Sequence, residues 1–353
     1  MMIENILKSR NIMEIWDGTS DWEERRNEIT ELLLKEEYGY LPPKPDNISF
    51  ETEKEDDTFC AGKAVLKKIR VKGEIDKRSF EFVFYTIIPT KKGKNPFFVH
   101  INFTDSIPDK YLPIEEIIDN GFAVLMVCYK DVTDDNDDFT DGVAAAVFNG
   151  RERTGSDCGK IAIWSWAASR VLDYAETLEC LDMSTATVVG HSRLGKTALL
   201  TGAMDTRFKT VISNDSGCSG AAISRGNVGE RIKDICSVFS YWFCPNYKKY
   251  IDKEGTLPFD QHFLLAAIAP RRVYIASAEG DSWADPVSEY LSCCAASEVY
   301  ERLGTKGFIH PDSLPVCGDA FAEGNIGYHM RSGKHYLSRE DWQYFMRFIK
   351  ENM

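Results

Sequence analysis

Hydrophobic and polar positions along this chain fall into two textures. Residues 21–37 carry Ile29, Leu32, Leu33 and Leu34 along one side of a helical pattern, with Ser20 as the expected N-cap and Glu23 three residues on. Leu41-Pro42-Pro43 prevents any continuation of that helix. Residues 64–71 and 80–88 are rich in β-branched and aromatic side chains and read as strands, followed by a basic turn at 90–94. From residue 97 the texture changes to alternation. Strands are expected at 97–103, 122–129, 186–189, 208–212 and 272–277, and helices at 114–120, 161–175, 193–200, 287–300 and 339–350.

Strands alternating with helices over some 250 residues predict an α/β fold with a mostly parallel central sheet covered by helices on both faces. The early β-rich stretch is expected to supply an antiparallel edge. There is no internal repeat and no low-complexity linker. The expectation is therefore one domain over 1–353, with 1–95 an N-terminal decoration and 96–353 the core. The bulk composition (43% hydrophobic, 27% charged) is that of a soluble globular protein and adds nothing to this picture. The net charge of −13 does add something, because it argues against a nucleic-acid or anionic-membrane partner. No run approaches the roughly 18–20 apolar residues of a spanning helix. The first residues lack a charged-then-apolar leader, so a cytoplasmic, reducing location is the expectation. Ten scattered cysteines show no zinc spacing and read as mostly buried free thiols. The acidic loop 131–138 has no EF-hand spacing and reads as a solvated charged loop before it reads as a cation site.

Chemistry concentrates in Thr187-Val188-Val189-Gly190-His191-Ser192-Arg193-Leu194-Gly195-Lys196-Thr197, an apolar strand, a polar turn and the start of an Ala/Leu-rich helix. Two chemistries use such a unit. Gly190 to Thr197 matches the phosphate-binding spelling G-x-x-x-x-G-K-[ST], and Asp215 ends the next apolar run as a magnesium-side acid would. However, several α/β units precede this motif, and no other nucleotide-recognition pattern follows it. The alternative is a nucleophilic serine thrust out on a strained turn. In that arrangement an acid and then a histidine follow the serine in chain order. Ser192, then Asp215 and Asp281 (each just after an expected strand), then His335 before the last helix satisfies that order. His329 is the competing histidine. His262, in an apolar run, reads as a core residue, and His191 as a neighbour of the site. The common elbow G-x-S-x-G is broken, with leucine at 194 and the glycine moved to 195.

That departure resembles the G-C-S-R-x-G-K signature of the glucuronoyl esterases, carbohydrate esterase family 15, within the α/β-hydrolases. The likeness continues through Asn214-Asp215-Ser216-Gly217-Cys218-Ser219-Gly220, Val228-Gly229-Glu230, Leu257-Pro258-Phe259-Asp260-Gln261-His262, Asp281-Ser282-Trp283-Ala284-Asp285-Pro286 and Gly333-Lys334-His335. The resemblance implies a serine esterase, free of cofactor and metal, that cleaves esters of (4-O-methyl-)glucuronic acid in glucuronoxylan through an acyl-enzyme. It implies Ser192 as nucleophile, His335 as base, Arg193 in the oxyanion hole, and Lys196, Glu230 and Trp283 on the sugar. Asp215 and Asp281 both remain open as the acid, since family members differ in which carboxylate they use. Fungal members carry a cysteine before the serine and another after the histidine. His191 and Tyr336 stand there instead, as in the bacterial branch. Family members are usually exported. The neighbouring expectations are an acetyl-xylan or other carbohydrate esterase, a non-catalytic carbohydrate-binding relative, and, from a different class, a nucleotide-binding P-loop protein.

Overall fold

A computed structural model describes all 353 residues. Ten strands form one sheet: β1 Asn47–Asp56, β2 Ala64–Ile75, β3 Arg78–Pro89, β4 Phe97–Asn102, β5 Ala123–Cys128, β6 Thr187–His191, β7 Thr210–Asn214, β8 Arg272–Ala278, β9 Ala320–Phe321 and β10 Ile326–Arg331. Their order is β1-β2-β3-β5-β4-β6-β7-β8-β10-β9. β1 to β3 form the antiparallel edge and join the core where Tyr85 pairs with Met126. The strands from β5 to β10 along the middle of the sheet are parallel. This is the mostly parallel sheet with an antiparallel edge expected from the alternation of elements, and the α/β-hydrolase fold that the family resemblance implies.

Period-two alternation sorts the side chains of each central strand between two faces. Phe97, Val99 and Ile101 of β4 join the larger core, with Ala162, Trp164 and Leu172 of the helix Lys160–Ala175 and Ala198 and Leu199 of Arg193–Met204. Phe98, Val124, Val189 and Ile212 turn to the other face, where Ile114, Ile117, Trp342 and Phe345 from two further helices cover them.

Local chemistry moves some boundaries. The first long helix is Trp22–Leu33, and Asp21, not Ser20, caps it by accepting from the Glu24 amide. The Ser20 hydroxyl is instead turned to Trp16 Nε1. The strand expected at 208–212 begins at Thr210 and runs to Asn214, which leaves Asp215 as the first residue beyond it. In the last helix, Arg339–Glu351, Ser338 and Asp341 form a reciprocal capping box. Six of the ten cysteines are buried and none is in a disulfide. No helix is long and apolar enough to cross a membrane.

Candidate active site

Parallel pairing brings the C-terminal ends of the central strands to one edge of the sheet. His191 lies opposite Asn214, Asn214 opposite Ala276, and Ala278 opposite Arg331. Ligand sites of open α/β sheets lie at this edge. Ser192 leaves β6 with φ 57° and ψ −127°, a conformation costly for a non-glycine residue and found at tight functional turns. It is held there because its amide donates to the Asn214 carbonyl at 2.9 Å, while the amides of Gly195 and Lys196 return to the Ser192 carbonyl at 2.9 and 3.2 Å. The glycines make the turn possible. A Cβ at Gly190 would overlap the Leu194 carbonyl, and one at Gly195 would come within 2.8 Å of Ser213 Oγ.

This geometry removes the phosphate-cradle reading. Two of the amides that a phosphate would need, those of Gly195 and Lys196, are spent on the Ser192 carbonyl, and the Thr197 hydroxyl, fully buried, donates to the Arg193 carbonyl at 3.0 Å.

Ser192 Oγ lies 2.8 Å from His335 Nε2, and His335 Nδ1 lies 2.6 Å from Asp281 Oδ2. The serine, the histidine and one acid are thus in continuous hydrogen-bond contact at the surface, with the serine at the head of the helix Arg193–Met204. First-turn amides of a helix have no partner within it and carry the positive end of its dipole. His329 is elsewhere: it is fully buried between the Tyr274 hydroxyl and Asp341. His262 is buried with Nε2 on the Met13 carbonyl. His191 packs its ring 4.6 Å from that of His335 and pairs with Asn214. Burial, then the neighbouring His335, pushes its pKa down to about 3, so it stays neutral beside the reacting histidine.

The structure separates the two acids. Asp215 receives the Ala278 amide at 2.8 Å, Arg331 Nη2 at 3.2 Å and the Tyr336 amide at 3.4 Å. A carboxylate oxygen of Asp215 lies within 4.8 Å of a carboxylate oxygen of Asp281 and a ring nitrogen of His335. Each of the three groups already has hydrogen-bond partners in this network. Burial lifts the Asp215 carboxyl well above the usual range, with the charge of Glu289 adding to the lift and Arg331 opposing it.

Arg193 spends one Nη on Asp135 and lays its guanidinium 4.4 Å from the Trp242 ring. Lys196 is almost buried, with Nζ on the Ser216 carbonyl. Trp283 is 58% exposed, and its carbonyl accepts from the half-buried Glu230 at 2.8 Å, so these two residues share one rim.

Three residues that carried no signal in the sequence hold this arrangement. Arg331 is 4% exposed and binds Asp341 through Nε at 2.8 and 2.9 Å, along with the carbonyls of Ser332, Lys334 and Tyr336. It therefore shapes the loop that presents His335. Asp341 announces itself only as a helix-capping acid, and Asp135 only as one of several loop acids.

Comparison with known proteins gives a consistent result. The family model described as glucuronyl esterase, fungi, matches residues 71–304. The carbohydrate esterase MZ0003, from an unknown prokaryotic organism, is 33% identical over 96% of this chain and 88% of its own. The 4-O-methyl-glucuronoyl methylesterase 1 of Wolfiporia cocos is 29% identical over 85% of this chain and 74% of its own. Among solved structures, a promiscuous CE15 esterase from a marine bacterial metagenome superposes with a TM-score of 0.85 at 32% identity, covering 94% of this chain and 92% of its own.

Proposed function

Because the chain belongs to the glucuronoyl esterase family, carbohydrate esterase family 15, we propose that it hydrolyses esters of glucuronic or 4-O-methylglucuronic acid through an acyl-enzyme on Ser192. The observation that carries this reading is the unbroken Ser192–His335–Asp281 chain, with contacts of 2.8 and 2.6 Å. His335 Nε2 takes the proton from Ser192 Oγ as that oxygen attacks the ester carbonyl. Asp281 fixes the Nδ1–H tautomer and stabilises the imidazolium that results. Charge developing on the carbonyl oxygen meets the head of the helix that Arg193 begins, and the Arg193 guanidinium beside it. His335 then protonates the departing alkoxide, so the alcohol leaves and the uronoyl group remains esterified to Ser192 Oγ. Water, deprotonated by the same nitrogen, releases the uronic acid and restores the serine.

The sugar lies against the exposed face of Trp283, whose aromatic surface suits a pyranose ring. Glu230 accepts from a ring hydroxyl. Lys196 uses one of its three N–H groups on Ser216 and has donors left for another hydroxyl. Cationic groups beside Ser192 favour an acyl group whose product is a carboxylate. A uronic acid carried on a xylan chain is the natural polymeric form of this substrate.

The test is hydrolysis of benzyl or methyl glucuronate, side by side with an acetyl ester, by the wild type and Ser192→Ala. Loss of the nucleophile is expected to lower kcat by about 10⁶-fold. Full activity in that variant would end the proposal. A preference for the acetyl ester would move the chain to the neighbouring class of carbohydrate esterases.

A further inference from the structure

The acidic loop 131–138, which reads in the sequence as a solvated charge run, is built into the site. Lys160, itself fully buried, clamps one side of it by donating to the Thr133 hydroxyl at 2.7 Å, the Asp138 carbonyl at 2.6 Å and Asp141 at 3.3 Å. At its centre the Asp135 carboxylate is only 9% exposed. Oδ1 accepts from Trp242 Nε1 at 2.7 Å, and Oδ2 accepts from the Tyr129 hydroxyl at 3.2 Å and from Arg193 Nη1. The Asp135 backbone carbonyl also accepts from the Tyr241 hydroxyl at 3.0 Å. No other acid pairs with Arg193. The guanidinium is gripped on its faces as well, by Trp242 at 4.4 Å, Phe239 at 5.3 Å and Phe103 at 5.7 Å, and Trp242 and Phe239 are themselves stacked at 4.0 Å. Arg193 Nε is buried without a partner.

A free arginine side chain samples many rotamers, and fixing it at the moment of reaction would cost free energy. Here one carboxylate holds one edge of the fork and an aromatic ring holds its face before substrate arrives. From this we infer that Asp135 is a positioning residue for the Arg193 guanidinium, through which it preorganises the donor that meets the developing oxyanion. The inference rests on the reading of Arg193 as that donor. Asp135 touches no reacting atom. Its expected signature is therefore a fall in kcat that vanishes once Arg193 is gone.

The experiment is a double-mutant cycle on benzyl glucuronate with Asp135→Asn, Arg193→Ala and the pair, each checked by thermal melting for a folded protein. Asparagine keeps an acceptor for Trp242 but loses the charge that aims Arg193. Arg193→Ala is expected to lower kcat by roughly 10²–10³, the range for removing one oxyanion donor. Asp135→Asn is expected to lower kcat by roughly 10–100-fold at nearly constant KM, and the pair to be no worse than Arg193→Ala alone. Trp242→Phe keeps the stacking ring but deletes the Nε1 bond to Asp135, and so tests the same link without touching the carboxylate. A several-fold kcat loss, also absent without Arg193, is expected. A crippled Arg193→Ala enzyme beside unchanged Asp135→Asn and Trp242→Phe enzymes would overturn the inference alone. So would losses that add in full to that of Arg193→Ala. Wild-type kcat in Arg193→Ala would remove the oxyanion reading, and the inference with it.

Discussion

Two loops at the same edge of the sheet carry the two acids, and their surroundings give them different work. The loop after β8 buries Asp281 directly behind the exposed His335, where one of its oxygens reaches His335 Nδ1 at 2.6 Å. The loop after β7 places Asp215 in the interior, under two backbone amides and Arg331. Burial raises its carboxyl, with Arg331 opposing the lift, and its hydrogen bonds go to the Ala278 and Tyr336 amides and to Arg331 and not to His335. Asp215 is therefore suited to pinning. It ties the end of β8, through the Ala278 amide, to the loop of His335, through the Tyr336 amide. Two carboxylates that look alike in sequence differ because one meets the histidine and the other meets the scaffold.

The sharpest way to break this comparison is to remove each acid in turn. Asp281→Ala is expected to lower kcat on a glucuronate ester by about 10⁴, as loss of a triad acid does elsewhere. Asp215→Ala should cost at least about a hundredfold less, leaving a factor of roughly 10² or smaller, the scale of lost orientation. Steady-state kinetics of the two variants decide the matter, and equal losses would mean that the histidine is served by both.

Arg331 tests the scaffold side next. Arg331→Met keeps the volume but leaves Asp215 and Asp341 without their cation in the interior. Breaking a buried pair from one side costs about 3–5 kcal/mol. Urea unfolding should show that loss as a lower midpoint at unchanged m. A midpoint at the wild-type value would mean that Arg331 is not what holds the Asp215 side together.

How much of this was visible in the letters follows the same division. Ser192 was legible because its turn, its two glycines and its helix are contiguous, so local chemistry dictates them. His335 was legible from chain order. The choice between Asp215 and Asp281 was not, since both follow strands and only the three-dimensional reach to Nδ1 separates them. β10 was missed although Ile326, Tyr328 and Met330 alternate with Gly327, His329 and Arg331, because a glycine, a histidine and an arginine are unusual in a strand that is buried throughout. β1 was missed for the opposite reason. It is almost wholly exposed, and cross-strand ion pairs such as Glu51–Lys72 and Glu53–Arg70 stand where an apolar face would be. Asp135 and Arg331 act on partners far along the chain (58 residues from Asp135 to Arg193, 116 from Asp215 to Arg331), a distance no motif spans, and Asp341 reaches the site only through Arg331.

Glu289 sharpens the comparison most finely, because it joins the two loops. Oε1 accepts from the Gly217 amide at 2.9 Å, beside Asp215, and Oε2 accepts from the Ser277 hydroxyl of β8 at 2.6 Å. Burial pushes its pKa up to about 7 from an ordinary 4.5, against the pull of those donors. A carboxyl raised on folding stabilises the folded state fully below its unfolded pKa, and that contribution is lost as pH rises through the folded value. Glu289→Gln abolishes the titration while keeping the shape, and the Ser277 hydroxyl can turn to accept from the new amide. The stability of the wild type relative to the variant should therefore decline between about pH 4.5 and 7 and level off above. The full span is at most on the order of 3 kcal/mol. Urea midpoints of both proteins at half-unit pH steps measure it. A difference that stays flat across that window would show that Glu289 ionises as freely folded as unfolded, and that the two loops are not coupled through a buried proton.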